Sequence, residues 1–313
     1  MAKYRDRLPQ LAGKLFLTDG GMETTLIFHE GLELPCFAAF NLLKDAAGQA
    51  ILKQYFRRYI EIARNSDLGF ILESATWRAS ADWGARLGYS ESGLEEINRR
   101  AITMLHDLRN EFESPASPMV ISGCIGPRGD GYNPASFMSD LEAEAYHRSQ
   151  AEIFSDADAD MISAFTLTYP QEGIGIVRAA QAVGMPVVIS FTVETDGRLP
   201  NGQMLRDAIA QVDTATGNGP VYYMINCAHP VHFANLLESE ESWLARVRGV
   251  RANSSTKSHK ELDESTSLDA GDPVDLAARY RALMARLPNL NVVGGCCGTD
   301  QRHVAAICQA LRS

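Results

Sequence analysis

The chain alternates short apolar runs with longer stretches in which apolar side chains recur every three or four residues. Eight of the short runs are rich in β-branched and aromatic residues: 15–21, 70–76, 119–126, 161–166, 187–193, 221–227, 247–253 and 291–297. Most close on Gly, Ser, Thr, Asn or Cys, and most lead into a helical pattern, as over 46–64, 94–112, 141–155 and 274–287. Strands that alternate with helices predict a parallel sheet. Eight such units in 313 residues fit an α/β fold of the (β/α)8 TIM-barrel type, a single domain over residues 1–313. A doubly wound open sheet is the other architecture this pattern allows. The seventh run is the weakest of the eight.

Two segments are too polar and glycine-rich for a core: Gly126–Pro134 and Asn253–Pro273. Both follow strand-like runs, so in a barrel both lie as loops at the mouth where the strands end and active sites are built. No internal repeat, low-complexity tract or shift of composition divides the chain.

Composition narrows the partners. The net charge of −10, from 29 basic and 39 acidic residues, argues against a nucleic-acid or anionic-membrane surface and leaves a small molecule as the expected ligand. No segment is apolar and long enough to span a bilayer, and the N-terminus lacks the pattern of a secretory signal, so the expected compartment is cytoplasmic. Six cysteines are too few for a disulfide scaffold in a chain of this size.

Where the cysteines fall is more informative than their number. Cys227 closes the sixth run, and Cys296-Cys297 close the eighth between glycines, in Gly294-Gly-Cys-Cys-Gly298. In a barrel, residues far apart in sequence would thus meet across one mouth. Neighbouring residues of a strand point to opposite faces, so two adjacent cysteines serve one metal only if the backbone leaves the regular pleat, which flanking glycines permit. Three thiols would leave one position of a tetrahedral zinc open. The residues alone also allow a glycine-rich turn with two inert buried thiols.

At this point the chain resembles a known family, the zinc-dependent homocysteine S-methyltransferases, which include betaine-homocysteine and S-methylmethionine-homocysteine methyltransferases. Thr18-Asp19-Gly20-Gly21-Met22-Glu23 resembles the family's first-strand loop, and Phe191-Thr192-Val193 with Asp196-Gly-Arg-Leu199 resembles its fifth. Asn226-Cys227 and Gly294-Gly-Cys-Cys-Gly-Thr299 resemble its two zinc motifs. The likeness runs from about Leu15 to Leu311. It implies a (β/α)8 barrel, a zinc cofactor on Cys227, Cys296 and Cys297, and a small-molecule thiol acceptor filling the open position. A free aliphatic thiol is mostly protonated at neutral pH, and zinc binding converts it to the nucleophilic thiolate. The methyl donor must then carry its methyl on a sulfonium or quaternary ammonium.

The resemblance also implies substrate contacts. Asp19, Gly20 and Gly21 would hold the amino-acid end of the acceptor, the carboxylate taking its ammonium and backbone N–H groups its carboxylate. Thr76, Trp77 and Arg78 would face the donor, with Trp77 offering its ring to a methylated cation and Arg78 a charge for the donor's carboxylate. Asn226 belongs to the same set. His229 is expected to support the site rather than ligate. Cys124 ends a strand without a family role, and Cys36 and Cys308 are expected to be structural. Two positions depart from the family: Phe165 stands where a glutamate commonly binds the acceptor's ammonium, and Ala75 replaces a common asparagine. Both put homocysteine in question as the acceptor, with Glu73 and Glu194 as carboxylates able to compensate.

Overall fold

Each of the eight apolar runs becomes a strand because it can bury both faces, one against the barrel interior and one against a helix. The computed structural model describes residues 1–132, 136–237 and 241–312. Asn133 and Pro134, the end of the expected loop 126–134, fall outside them. The strands are β1 Phe16–Leu17, β2 Gly69–Glu73, β3 Met119–Ile125, β4 Met161–Leu167, β5 Val187–Phe191, β6 Tyr222–Asn226, β7 Val247–Ala252 and β8 Val292–Gly295. They lie parallel in sequence order, and β1 closes the barrel by pairing with both β2 and β8, Phe16 opposite Gly69 and Val292. The eight-unit barrel expected from the alternation is the fold observed, and the open doubly wound sheet is not.

The all-apolar runs conceal a two-residue alternation that only the structure separates. Phe16, Ile71, Val120, Met161, Val188, Met224 and Val292 fill the barrel interior. Their neighbours Leu17, Phe70, Leu72, Ile121, Ile162, Ile189, Ile225 and Val293 pack outward into the larger core beneath the helices. The long helices Ala46–Asn65, Glu91–Phe112, Asp140–Asp156 and Pro273–Met284 begin at side-chain caps on Asp45, Ser90, Ser139 and Asp272, which satisfy N–H groups that the first turn leaves free. Among the described residues, no helix is long and apolar enough to cross a membrane.

The end of the barrel opposite the mouth is tied by one carboxylate. Asp160, fully buried just before β4, pairs with Arg109 Nη1 at 2.6 Å and accepts from the backbone N–H groups of Ile121 and Tyr4, each at 2.8 Å. It thereby joins helix Glu91–Phe112, strand β3 and the N-terminal segment. At the other end, β6 and β8 stop one residue short of their cysteines, and β4 and β5 shift register between Ala164 and Leu167. The backbone therefore leaves the sheet where the unusual residues begin.

Removing the Asp160 carboxylate should leave a buried arginine and two backbone donors without a partner. Asp160→Ala is expected to lose about 3–5 kcal/mol of stability, read as a shifted urea unfolding midpoint; a loss below about 1 kcal/mol would mean that the pair is not buried as described.

Candidate metal centre

Three sulfurs meet at the mouth because two strands end in turns. Cys227 takes a left-handed backbone, φ 54°, immediately after β6, which swings its side chain out of the strand's alternation. After β8 the chain turns between Cys296 and Thr299: Cys296 O accepts from Thr299 N at 3.1 Å and from its hydroxyl at 2.7 Å. Gly298 completes the turn at φ 79°, where a Cβ would lie 2.1 Å from Ser254 Oγ, so glycine is needed there both for conformation and for space. The expected departure from regular pleat between the two adjacent cysteines is thus present.

The Sγ atoms of Cys227, Cys296 and Cys297 all lie within 4.8 Å of one another, and those of Cys227 and Cys297 are 3.8 Å apart. The edge of a tetrahedron built on zinc–sulfur bonds of about 2.3 Å is about 3.8 Å. All three cysteines are free thiols. Three soft sulfur donors at this spacing fit a zinc ion with one position left over. Hydrogen bonding from Cys296 and Cys297 holds the Cys227 thiol well below its ordinary range, and hydrogen bonding with Cys227 in turn pushes Cys296 up to about 12.

Groups that the sequence reading did not single out surround this cluster. Tyr132 donates its hydroxyl toward Cys227 Sγ at 3.4 Å and Cys297 Sγ at 3.5 Å, and its ring stacks on His259 with centroids 4.0 Å apart. His259 Nε2 lies 2.8 Å from the Cys227 carbonyl and its Nδ1 3.1 Å from Glu194. Tyr132 is the one tyrosine in the polar segment 126–134, and that placement was the available signal. His229 accepts from Val231 N at 3.3 Å and caps the short helix that follows; it is not among the sulfur ligands.

Beside the sulfurs opens a cavity of about 500 Å³. Asp19, Gly20, Gly21, Trp77, Arg78 and Asn226 all line it, but their hydrogen bonds differ from the expected ones. Asp19 does not offer a free carboxylate: Oδ1 pairs with Arg251 Nη2 at 2.6 Å and Oδ2 accepts from the Tyr55 hydroxyl at 2.9 Å. The Gly21 N–H goes to Thr299 O at 3.0 Å, and its missing side chain is explained by Cys296 O, only 2.5 Å from where a Cβ would stand. Asn226 is a brace, its Oδ1 accepting from Thr166 N at 2.9 Å and Ser190 Oγ at 2.6 Å while Nδ2 reaches Thr166 Oγ1 at 2.8 Å.

The donor-side expectation needs one correction. Thr76 is fully buried, donates its hydroxyl to Cys124 O at 2.7 Å, and is not among the residues lining the cavity. Just past the end of β2, its side chain turns into the wall, and of the three only Trp77 and Arg78 line the cavity. Trp77 donates its indole N–H to Phe165 O at 3.3 Å. The Arg78 guanidinium stacks on Trp83 at 4.0 Å, sits 5.0 Å from the Trp77 ring centroid and pairs with Asp130 at 3.5 Å. Cys124 also lines the cavity but stands outside the three-sulfur group.

Arg251 is the largest omission from the sequence reading. It lies on β7, 8% exposed, with its guanidinium 4.9 Å from the Phe165 ring centroid. A charged residue at the C-terminal end of a buried parallel strand was the sign of it. Two carboxyls, Glu23 and Glu73, also line the cavity, and burial raises each to about 7. Glu194 faces His259 instead and does not reach the cavity.

Comparison with known proteins gives this geometry relatives. The homocysteine S-methyltransferase family model matches residues 16–311, nearly the full length. Homocysteine S-methyltransferase 4 of Zea mays is 22% identical in an alignment 325 residues long that covers 96% of this chain and 90% of the relative. Homocysteine S-methyltransferase of Escherichia coli (strain K12) is 25% identical, covering 79% of this chain and 83% of the relative. The crystal structure of the E. coli homocysteine methyltransferase MmuM superposes over 99% of this chain, with a TM-score of 0.78 in the oxidized form and 0.72 in the metallated form at 21% identity. At that identity the structural likeness establishes the shared barrel.

Glu73 makes the buried charge testable. Its folded pKa of about 7 exceeds the ordinary 4.5, so the folded chain keeps a proton that the unfolded chain releases. The associated stability is full below about pH 4.5 and is lost as pH rises through about 7. Glu73→Gln removes this dependence. Relative to the parent, the variant should gain up to about 3 kcal/mol between about pH 4 and pH 8, measured by urea unfolding at both; parallel pH profiles would show that Glu73 is solvated.

Proposed function

This chain belongs to the homocysteine S-methyltransferase family, and from that premise we propose a zinc-thiolate mechanism in which it moves a methyl group from a sulfonium or quaternary ammonium donor to homocysteine or a related small thiol or selenol. That it is a methyltransferase follows from the family; the metal, the donor and the acceptor are the parts proposed. The observation that carries the reading is the three-sulfur cluster of Cys227, Cys296 and Cys297 on the wall of one cavity. The same reading takes residues 1–313 as one domain, with the substrates as its small-molecule partners.

Cys227, Cys296 and Cys297 would hold the zinc, which when bound lowers the pKa of the acceptor thiol so that it attacks as a thiolate at neutral pH. The chain's own groups do the rest. Tyr132, donating toward two of the sulfurs, fixes their orientation and offsets part of their negative charge. Asn226 holds Thr166 in its left-handed turn, φ 62°, and keeps an amide N–H 4.0 Å from Cys296 Sγ. Phe28, Phe37, Trp77 and Tyr132 offer aromatic surface to the donor's cation, with an attraction on the order of 1–2 kcal/mol for a ring well placed. Asp130, which pairs with Arg78, and Glu23, which burial raises to about 7, stand on the same walls.

In the transfer, a sulfur–carbon bond forms as the donor's carbon–sulfur or carbon–nitrogen bond breaks. The bonding pair stays on the donor atom, which leaves as a neutral thioether or tertiary amine. No proton has to be delivered to the leaving group, so the donor side needs aromatic surface but no general acid. The acceptor's proton would pass to solvent as the thiol binds, before the methyl moves.

Metal analysis tests this reading directly. The purified chain is expected to retain about one zinc per molecule, and Cys227→Ser, Cys296→Ser or Cys297→Ser should each lose most of it on dialysis together with methyl transfer. Circular dichroism would check that the barrel is intact. A Cys227→Ser protein that keeps a full equivalent of zinc would show that the metal is held elsewhere. Methyl transfer from S-methylmethionine across a panel of thiols separates a homocysteine enzyme from one with another acceptor, and from a barrel that binds without turnover.

A further inference from the structure

Two side chains at the floor of the cavity have bonding capacity that neither the cluster nor the methyl transfer uses. Glu73 ends β2, is 3% exposed and lines the cavity. Its Oε1 accepts from Ser163 Oγ at 3.1 Å, whereas Oε2 is buried without a hydrogen-bond partner among the described residues. Arg251 directs Nε to Gly295 O at 3.0 Å and Nη2 to Asp19 Oδ1 at 2.6 Å and Gly20 O at 3.1 Å. Its Nη1 makes no hydrogen bond to any described residue.

An unmet carboxyl oxygen in an apolar wall is destabilising unless something completes it. Cys124 and Phe165, both buried, line the same space as Glu73, and Arg251 pairs with Asp19 rather than with Glu73. The two side chains nevertheless act on each other electrostatically across the cavity. An anion and a cation that face one space without touching are what a zwitterion would find complementary. The same space borders Cys296, one of the three clustered sulfurs.

Resting on the methyltransferase reading of this site, we propose that Glu73 and Arg251 together recognise the amino-acid end of the acceptor. Glu73 Oε2 accepts from the α-ammonium, Arg251 Nη1 donates to the α-carboxylate, and the sulfur of the same molecule reaches the three cysteines. The acceptor class is therefore a sulfur-bearing α-amino acid, and Phe165 is the apolar plate beneath it rather than a lost contact. The ammonium site then lies at the end of β2, at Glu73, and not at Phe165 on β4. Asp19 serves indirectly, by holding Arg251 in place.

The methylated product offers a probe that needs no thiolate. Methionine, its des-amino analogue methylthiobutanoate and its decarboxylated analogue methylthiopropylamine are titrated calorimetrically into the full chain and into Glu73→Gln. The parent protein should prefer methionine to either analogue by about tenfold to a hundredfold, the range of one charge-assisted hydrogen bond. Glu73→Gln should lose the preference over methylthiobutanoate and keep the preference over methylthiopropylamine, and Glu73→Asp should fall between, with unfolding curves verifying that both variants fold.

Absence of methionine binding, equal binding of methionine and methylthiobutanoate to the parent, or a preference that survives Glu73→Gln would overturn the assignment. So would a preference lost in Glu23→Gln instead. The two readings fail separately. Selective methionine binding without transfer to any thiol rejects the methyltransferase mechanism alone. Transfer to homocysteine whose kcat/KM advantage over mercaptobutanoate is untouched by Glu73→Gln rejects the Glu73 site alone.

Discussion

Everything at the mouth depends on holding three thiols within 4.8 Å of one another when they come from two strands that do not pair. Strand β7 lies between those two, and its backbone sets the distance. Arg251 O accepts Cys227 N–H at 3.1 Å from one side, and Ala252 O accepts Cys296 N–H at 2.8 Å from the other. The loop after β7 extends the same clamp: Asn253 Nδ2 donates to Cys227 O at 3.0 Å, and Ser254 N donates to Cys297 O at 3.1 Å. Neighbouring strands stand about 4.8 Å apart, so cysteines flanking one strand would be about twice that apart at the backbone. Only side chains leaning inward over the end of β7 close the remaining gap. The left-handed Cys227 and the turn at Gly298 are the backbone's means of producing that lean.

This arrangement explains why β7 was the hardest strand to read. Its run, Val247-Arg-Gly-Val-Arg-Ala-Asn253, carries two arginines, which lower any apolar score. Arg251 tolerates burial because Asp19, Gly20 O and Gly295 O receive its N–H groups and Phe165 lies beneath its plane. The polarity that weakens the strand in sequence is the same polarity that makes it the centre of the site. In Asp19 the legible part was the location, on the first loop. The illegible part was its partner, 232 positions away, because an ion pair across a closed barrel leaves no local pattern.

The rest of the fold was legible for a simple reason. Eight buried strands and their amphipathic helices are local signals, each readable in a window of ten or twenty residues. The cysteines were legible because strand ends in a parallel barrel converge. Thr76 was not, because adjacent residues just past a strand end can face either the cavity or the wall. Its hydroxyl found Cys124 O, a contact that depends on how β2 and β3 are staggered. Asn226 was placed at the site, yet its role as a brace for Thr166 and Ser190 depends on the ends of β4 and β5, where the register shifts.

The electrostatics of the floor follow from these placements. Arg251 is committed on one edge to Asp19, so that pair is close to neutral, and Asp19 cannot also serve as the site's free anion. With Phe165 on the end of β4, the negative charge available to a ligand shifts to Glu73 and Glu23, both of which burial holds near neutrality until a cation arrives. A carboxyl poised at about 7 is a weak anion toward water and a strong one toward a desolvated ammonium, because the incoming charge lowers its pKa as it binds. Phe165 therefore does not leave the floor without charge. It lies as an apolar plate against the arginine, in the same cavity as the Glu73 carboxyl, so a ligand with opposite charges at one end would find both partners within one space.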